Sequence, residues 1–314
     1  MMMDHWFKDG DSMYRLMVNG INIINDSDNI TWNSDSDSLG TQLSFDSIKE
    51  ILTGTVVHLF NDDIEIFRGI TLKPIQKRWT WSYTCQDYSF YLKNDKIPIK
   101  QFNGIAASEA INQLLSEAYL TGEVVNIPTS IDQYYSNTNR DSIIEDILKQ
   151  ASQDQGTTYF KEIQGITTHV YDIAEMKISP NIILPKEINI EASMENMKNV
   201  VVVISGNENS TVIQATAQDT SKQNFYGVLT DVISVDDKNI AQAQNMADNA
   251  LASSNKIEYQ STFEVVAVSG GDTIKANRLI YIHAGRRLND YYKIKNAQHT
   301  LVKGMHKVNM TITW

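Results

Sequence analysis

The feature that most limits how this chain folds is a change of hydrophobic rhythm along it, from a period of two to a period near 3.6 and back again. In WTWSYTC every second residue is aromatic or sulfur-bearing, so Trp79, Trp81, Tyr83 and Cys85 are expected on one face of a half-buried strand. Thr80, Ser82 and Thr84 then share the other face. MYRLMVNGINI, TQLSFDSI and VVHLFNDDIEIFRGITLK read as further short strands, with a hairpin turn at Asn61, Asp62 and Asp63. Strands spaced this regularly favour a barrel or sandwich. The stretch NDSDNITWNSDSDSLG, which begins at Asn25, is polar, acidic and too long for a tight turn, and is expected to be a mobile loop.

The middle third changes rhythm. Ala107 to Leu120 places Ile111, Leu114, Leu115 and Ala118 on one helical face, with Gly122 positioned to end the helix. A second helix is expected where Ser142 and Glu145 have capping-box spacing and Ile143, Ile144, Ile147, Leu148 and Ala151 form the apolar stripe before Gly156. The sheet beneath them is expected in YFKEIQGITTHVYDI, turning at Gln164 and Gly165. From about Glu187 the strand rhythm returns in NVVVVIS, STVIQATAQ, FEVVAVS, LIYIHA, YYKIKNAQHTL and HKVNMTITW. One helix interrupts it near Asp237 to Ser253, with Ile240, Ala243, Met246, Ala247, Ala250 and Leu251 inward. A faint echo links VVHLFNDDIEIFRGI to LIYIHAGRRLNDYYKI, each a strand, a charged turn and an aromatic-rich strand.

The chain of 314 residues is long enough for two or three domains, and 42% hydrophobic residues suffice for real cores. A net charge of -11, with no cluster of Lys and Arg, argues against reading a nucleic-acid backbone, so no sequence-specific nucleic-acid partner is expected. The lone Cys85 excludes an intrachain disulfide, fits a reducing cytosol and reads as a small apolar filler. MMMDHWFKDGDSMYR lacks the apolar core of a signal peptide. The longest aliphatic run, Val200 to Ile204, falls far short of the about 20 residues a membrane helix needs, so no membrane anchor is expected.

No catalytic constellation rises above background. The six histidines, His5, His58, His169, His283, His299 and His306, include no pair at metal-binding helical spacing. His299 and His306 flank a turn at Lys303 and Gly304 and face each other across a hairpin, but without a nearby acid or thiol they make a poor zinc site. Asp26, Asp28, Asp35 and Asp37 lack EF-hand spacing, and solvated side chains are the simpler reading than calcium. Glu109, Glu117, Glu145 and Asp146 fall on the charged faces of helices, which gives no support for a carboxylate pair. Neither a nucleophile elbow nor a phosphate-binding loop occurs, so no catalytic residue, cofactor or metal is assigned.

Four stretches, in order, resemble the hub proteins of contractile-tail baseplates, the late-control and XkdQ-like family of phages and tail-like bacteriocins. They are FRGITLKPIQKRWTWSYTCQDYSFYLKN, FNGIAASEAINQLLSEA, DTSKQNFYGVLTDVISVDDKNIAQAQNMADNAL and YYKIKNAQHTLVKGMHKVNMTITW. The resemblance runs from about Val56 to Trp314 and is loose at each motif. It implies an α+β, mainly β chain with two tail-tube-like antiparallel β-barrels flanking a mixed α/β domain, and a helical insertion in the second barrel. Expected boundaries are 1–98, 99–186 and 187–314, with the insertion at about 236–256. The family-like structural positions are Gly69, Trp81, Asp87, Tyr91, Leu92, Tyr226, Gly227 and His299.

The resemblance further implies a non-enzymatic homotrimer that matches a six-fold tail tube to a three-fold central spike beside other baseplate proteins. Such a protein is assembled in the bacterial cytoplasm and ends in the baseplate of a particle. Residues 79–96 are then the joint where the first barrel hands over to the middle domain, with Trp79 and Trp81 as core or subunit contacts. Acidity gains a purpose there, because a negative channel repels DNA phosphates. The alternatives are a tail-associated peptidoglycan hydrolase, or a carbohydrate-binding adhesin whose aromatics, such as Trp32, stack on sugars.

Overall fold

The computed structural model describes residues 8–9, 12–207, 210–235, 237–302 and 304–314. His5 and Lys303, singled out above, lie outside the described residues. The fold is mainly β, dominated among the described residues by one curled sheet of 16 strands to which both ends of the sequence contribute. From one edge its longer strands run Ser12–Val18, Val56–Asn61, Ile64–Thr71, Trp81–Asp87, Ser38–Ser47, Ser27–Asp35, Leu288–Val302, Met305–Thr313 and Glu258–Ser269. Leu279–Ala284 pairs with the first part of Leu288–Val302. The turn expected at Asn61 to Asp63 is present, with Asn61 opposite Ile64 and Asp62 in the left-handed region at φ 50°.

The acidic stretch is not a loose loop. Residues Ser27–Asp35 and Ser38–Ser47 form a hairpin with Asp35 opposite Ser38, and Ser27–Asp35 is hydrogen-bonded on its other side to Leu288–Val302. Ile30 and Trp32 point into the core while Thr31 and Asn33 face outward, so two inward side chains and pairing on both edges outweigh a turn-like composition. A second correction concerns Trp79, which lies outside the Trp81–Asp87 strand and is 78% exposed, with the Arg78 guanidinium over its ring. Trp81, Tyr83 and Cys85 keep the shared inner face.

The middle region packs three helices on two small sheets. α1 spans Ser89–Asn94, α2 spans Ala107–Glu117 and α3 spans Arg140–Gln155. Ile111, Leu114 and Leu115 of α2 meet Ile143, Ile144 and Ile147 of α3 in one core, together with Ile163 and Val170 of a hairpin that turns at Gly165 and Ile166, one residue later than expected, with Gln164 paired to Thr167. Each such aliphatic contributes roughly 1.5–3 kcal/mol by leaving water. Beside them lie Lys96–Ala106 and Ser130–Asn139, an antiparallel pair whose rhythm was too irregular to be read from sequence. Both helix ends differ in detail from expectation. α2 ends at Glu117, and Tyr119 just beyond it adopts φ 57°, while Gly122 sits in the Thr121–Val124 strand, where an added Cβ would come within 2.7 Å of Asn112 and 2.9 Å of Leu115. α3 starts two residues before Ser142, so Ser142 and Glu145 make no capping box, whereas Gly156 does end it at φ 69°.

The last third divides. Val200–Asn207 and Ser210–Gln218, expected to join the same sheet as the C-terminal strands, instead form a separate three-stranded sheet with Thr230–Ser234. α4, Thr220–Tyr226, lies between two of its strands, and α5, Ala243–Ser254, follows a short 3-10 turn and covers one face. Val201, Val203, Ala215 and Ala217 pack there against Ala243, Met246 and Ala247. What reads in sequence as a helical insertion is thus accompanied by its own sheet.

Candidate functional site: the seam and the joint

The residues with most chemistry lie where strands from the two ends of the chain meet. His299 and His306 do face each other, on the strands Leu288–Val302 and Met305–Thr313, and His299 Nδ1 lies 2.8 Å from His306 Nε2. Because the Ile274 carbonyl, 2.7 Å from His299 Nε2, can only accept, His299 carries its proton on Nε2 and accepts from His306 at Nδ1. Burial holds the His299 pKa well below its ordinary value, and the neighbouring His306 lowers it further. His306 Nδ1 lies 3.0 Å from the Tyr14 hydroxyl, which itself donates to Asp272 Oδ1 at 3.0 Å. Asn61 donates to the other oxygen of Asp272.

Trp32 lids this chain of polar groups. Its ring stacks on His299 with centroids 4.7 Å apart and planes within 8°, and it lies 5.2 Å from His306. At 3% exposure Trp32, the aromatic named as an example for the adhesin reading, cannot stack on a sugar. With both His299 ring nitrogens taken up in hydrogen bonds, the pair acts as a buried brace. Among the described residues no three His, Cys, Asp or Glu side chains come together as metal ligands would. The acid missing from the sequence neighbourhood of the histidines, Asp272, arrives from a segment close only in space.

A second cluster marks the joint at residues 79–96. Asp87 is buried at the end of its strand, and its carboxylate accepts from Thr41 N at 2.5 Å, from Ser89 N at 3.0 Å, from the Ser89 hydroxyl and from Gln86 Nε2 at 3.4 Å. Burial pushes its pKa up, while these hydrogen bonds pull the other way. Gly40, at φ 90°, and Gly69, directly opposite Asp87, leave the room this arrangement needs. A Cβ on Gly40 would come within 2.0 Å of Ser89 Oγ, and one on Gly69 within 2.2 Å of the Gln86 carbonyl oxygen. Immediately after Asp87, α1 inserts Leu92 into the core of the middle region, while Tyr83 and Cys85 belong to the core of the first strands. Arg140, the first residue of α3, locks the handover by donating to Oδ2 of Asp95, just before the Lys96–Ala106 strand, at 2.7 Å and to the Leu114 carbonyl at 2.9 Å.

The family-like positions therefore do not form one site. Gly69, Asp87 and Leu92 belong to the joint and His299 to the seam. Trp81 is partly buried against the first core, and Tyr91 is exposed. Tyr226 and Gly227 end α4 on the outlying sheet, Gly227 at φ 82° with open space around it. Sequence reading passed over Tyr14, Asn61 and Asp272 as partners, and only their polarity beside apolar strand residues marked them.

A sequence model of the YQBQ-like family matches residues 30–313. No curated protein sequence matches the chain. Among solved structures, a tail protein from Neisseria meningitidis MC58 is similar at a TM-score of 0.71 and 13% identity, covering 96% of both chains. The 43 kDa tail protein of prophage MuSo2 from Shewanella oneidensis gives 0.68 at 12% identity, covering 95% of this chain and 97% of that one. An Escherichia coli component of the type VI secretion system that exhibits structural similarity to T4 bacteriophage tail proteins gp27 and gp5 gives 0.50 at 8% identity, covering 95% of this chain and 76% of that one. The overall fold is thus shared with phage tail proteins, and the chain belongs to the YQBQ-like family.

Proposed function

We propose that the protein is a structural, non-enzymatic baseplate hub of a contractile injection tail, a homotrimer that joins a hexameric tail tube to a trimeric central spike. The observation that carries this reading is the end-to-end likeness to phage tail proteins, 96% of both chains in the Neisseria meningitidis case, rather than a shared single domain. In this reading residues 1–98 and 187–314 supply two tube-like barrels and residues 99–186 the domain between them. Three subunits then present six barrels to the tube and closed three-fold symmetry to the spike. The seam suits that role, because strands from both ends of the chain are hydrogen-bonded from Asn296 opposite Asp35 to Leu301 opposite Ile30, so the two ends of the chain are held at a fixed spacing.

The subunit is assembled in the bacterial cytoplasm and carried at the baseplate of the finished particle, and the net charge of -11 keeps its lumen from holding DNA. The test is the light-scattering mass of the purified chain, alone and mixed with tube and spike proteins of the same particle. A trimer in either condition is expected. A chain that stays monomeric and binds neither protein overturns the reading.

A further inference from the structure

We infer that the cleft between α3, α5 and the outer edge of the Thr230–Ser234 strand receives an extended segment of a partner polypeptide, which adds a fourth strand to the outlying sheet. The Thr230–Ser234 strand pairs on one side only, in parallel with Val200–Asn207 and with Val232 opposite Val202. The Leu229 carbonyl accepts from Asn199 and Val200, and the Val235 amide donates to Ile204, so the odd-numbered residues here turn their main-chain groups inward. Thr230, Val232 and Ser234 therefore turn N–H and C=O outward. Of these groups, the Val232 amide is held by the neighbouring Asp231 carboxylate at 3.0 Å. The rest have no hydrogen-bond partner among the described residues.

That edge is what the cleft presents. Side chains of a strand alternate between faces, yet Asp231, Val232, Ile233, Ser234 and Val235 line the cleft in unbroken succession, as they do only where a strand is met edge-on. The cleft volume is about 890 Å³. A rise of about 3.3 Å per residue, a strand spacing of about 4.8 Å and a sheet thickness of about 10 Å give roughly 160 Å³ per strand residue. The space therefore suits about five residues, the length of the Thr230–Ser234 strand itself.

The remaining walls have the chemistry of main-chain recognition. Gln153, Asn239 and Gln242 line the cleft with amide side chains that make no hydrogen bond among the described residues, and an amide can both donate to and accept from a peptide backbone. Met246 and Ala250 give the floor an apolar patch. Among the described residues no aromatic ring lines the cleft, and those residues offer no platform for stacking a sugar or a base. One end is closed where Asn249 donates to the Gln153 and Asp154 carbonyls at 2.7 and 3.2 Å. This inference stands whether or not the protein is a tail hub.

The test uses the purified full chain and a displayed library of random nonapeptides as the probe. Selected peptides are expected to slow hydrogen exchange at the Thr230 and Ser234 amides. Ser234→Pro removes an outward, unpartnered N–H without touching the inward ladder, a placement that proline tolerates on an edge strand. It is expected to weaken those peptides about tenfold or more, whereas Ser234→Ala, which keeps the N–H, changes binding less than about twofold. If Ser234→Pro loses the fold, the double variant Gln153→Ala, Gln242→Ala carries the test with the same tenfold expectation. Failure to select any peptide, protection elsewhere on the protein, or binding unchanged in the variant that folds overturns the inference.

Discussion

The seam and the outlying sheet are both β structure, but they are held in opposite ways. At the seam, Ser27–Asp35 is paired on both edges, its inward Trp32 is stacked on His299, and the buried polar groups pass hydrogen bonds from Ile274 to Asp272. In the sheet of Val200–Asn207, Ser210–Gln218 and Thr230–Ser234, α5 covers one face while Ile213 and Val232 stand 66% and 56% exposed on or beside the other. The seam joins residues more than two hundred apart in sequence, whereas the outlying sheet and α5 come from residues 200–254 alone. A long-range contact has to offset a larger loop-closure entropy and so must be well packed and extensively hydrogen-bonded. A local unit can stay half-covered and keep surface free for partners.

The largest expected effect tests that contrast directly. Trp32→Ala empties a fully packed site and uncovers a polar pair, and should cost about 3–5 kcal/mol in denaturant unfolding of the whole chain. Ile213→Ser, on the exposed side, should stay within about 0.5 kcal/mol. Equal losses from the two would show that the seam is held no more tightly than the outlying sheet.

Asp87→Asn comes next. It places an amide NH₂ against the Thr41 N–H or against the Ser89 donors, whichever way it is turned, and should cost about 1–3 kcal/mol. Asp87→Asn should leave the oligomeric mass unchanged if the joint acts only within the subunit.

Acidification gives a smaller and graded effect. The folded pKa of His299 lies below its unfolded value, so the unfolded chain binds the proton more readily. The stability that His299 contributes is complete above about pH 6.5 and is lost as pH falls toward the folded pKa. Asp87, whose pKa is raised, has the opposite sign: its contribution is present in acid and lost as pH rises through its folded pKa. The loss of stability below about pH 6.5, followed by thermal melts, should therefore flatten in His299→Gln, and an unchanged slope would count against the neutral, accepting His299.

The smallest effect is chemical silence. Burial pushes the Cys85 thiol up to about 12, so a neutral alkylating reagent should leave it unmodified in the native chain and modify it at once in denaturant. Rapid native alkylation would mean that the first core opens more readily than the outlying sheet.

Much of the local structure was legible from side-chain rhythm. The inward set Tyr83 and Cys85, the Asn61 to Asp63 hairpin, the hairpin at Gly165 to within one residue, and the end of α3 at Gly156 all follow from periodicity and turn chemistry. The errors share a cause. The Asp- and Ser-rich stretch at Ser27–Asp35 has few apolar residues of its own and becomes a strand because two neighbours pair with it. Trp79 continues the alternation of its segment by letter, but the chain leaves the sheet before reaching it.

By itself the sequence determined which residues share a face, where most hairpins turn and that a mixed region separates two strand-rich ends. Only the tertiary structure decided that the two ends pair through Ser27–Asp35 and Leu288–Val302, that Tyr14 and Asp272 complete the His299–His306 brace, and that the Val200–Asn207 strand stands apart from the main sheet. The physical reason is that periodicity reports the direction of a side chain relative to its own backbone. Which strand lies beside it depends on burial and hydrogen bonding summed over the whole chain, and no local window contains that sum.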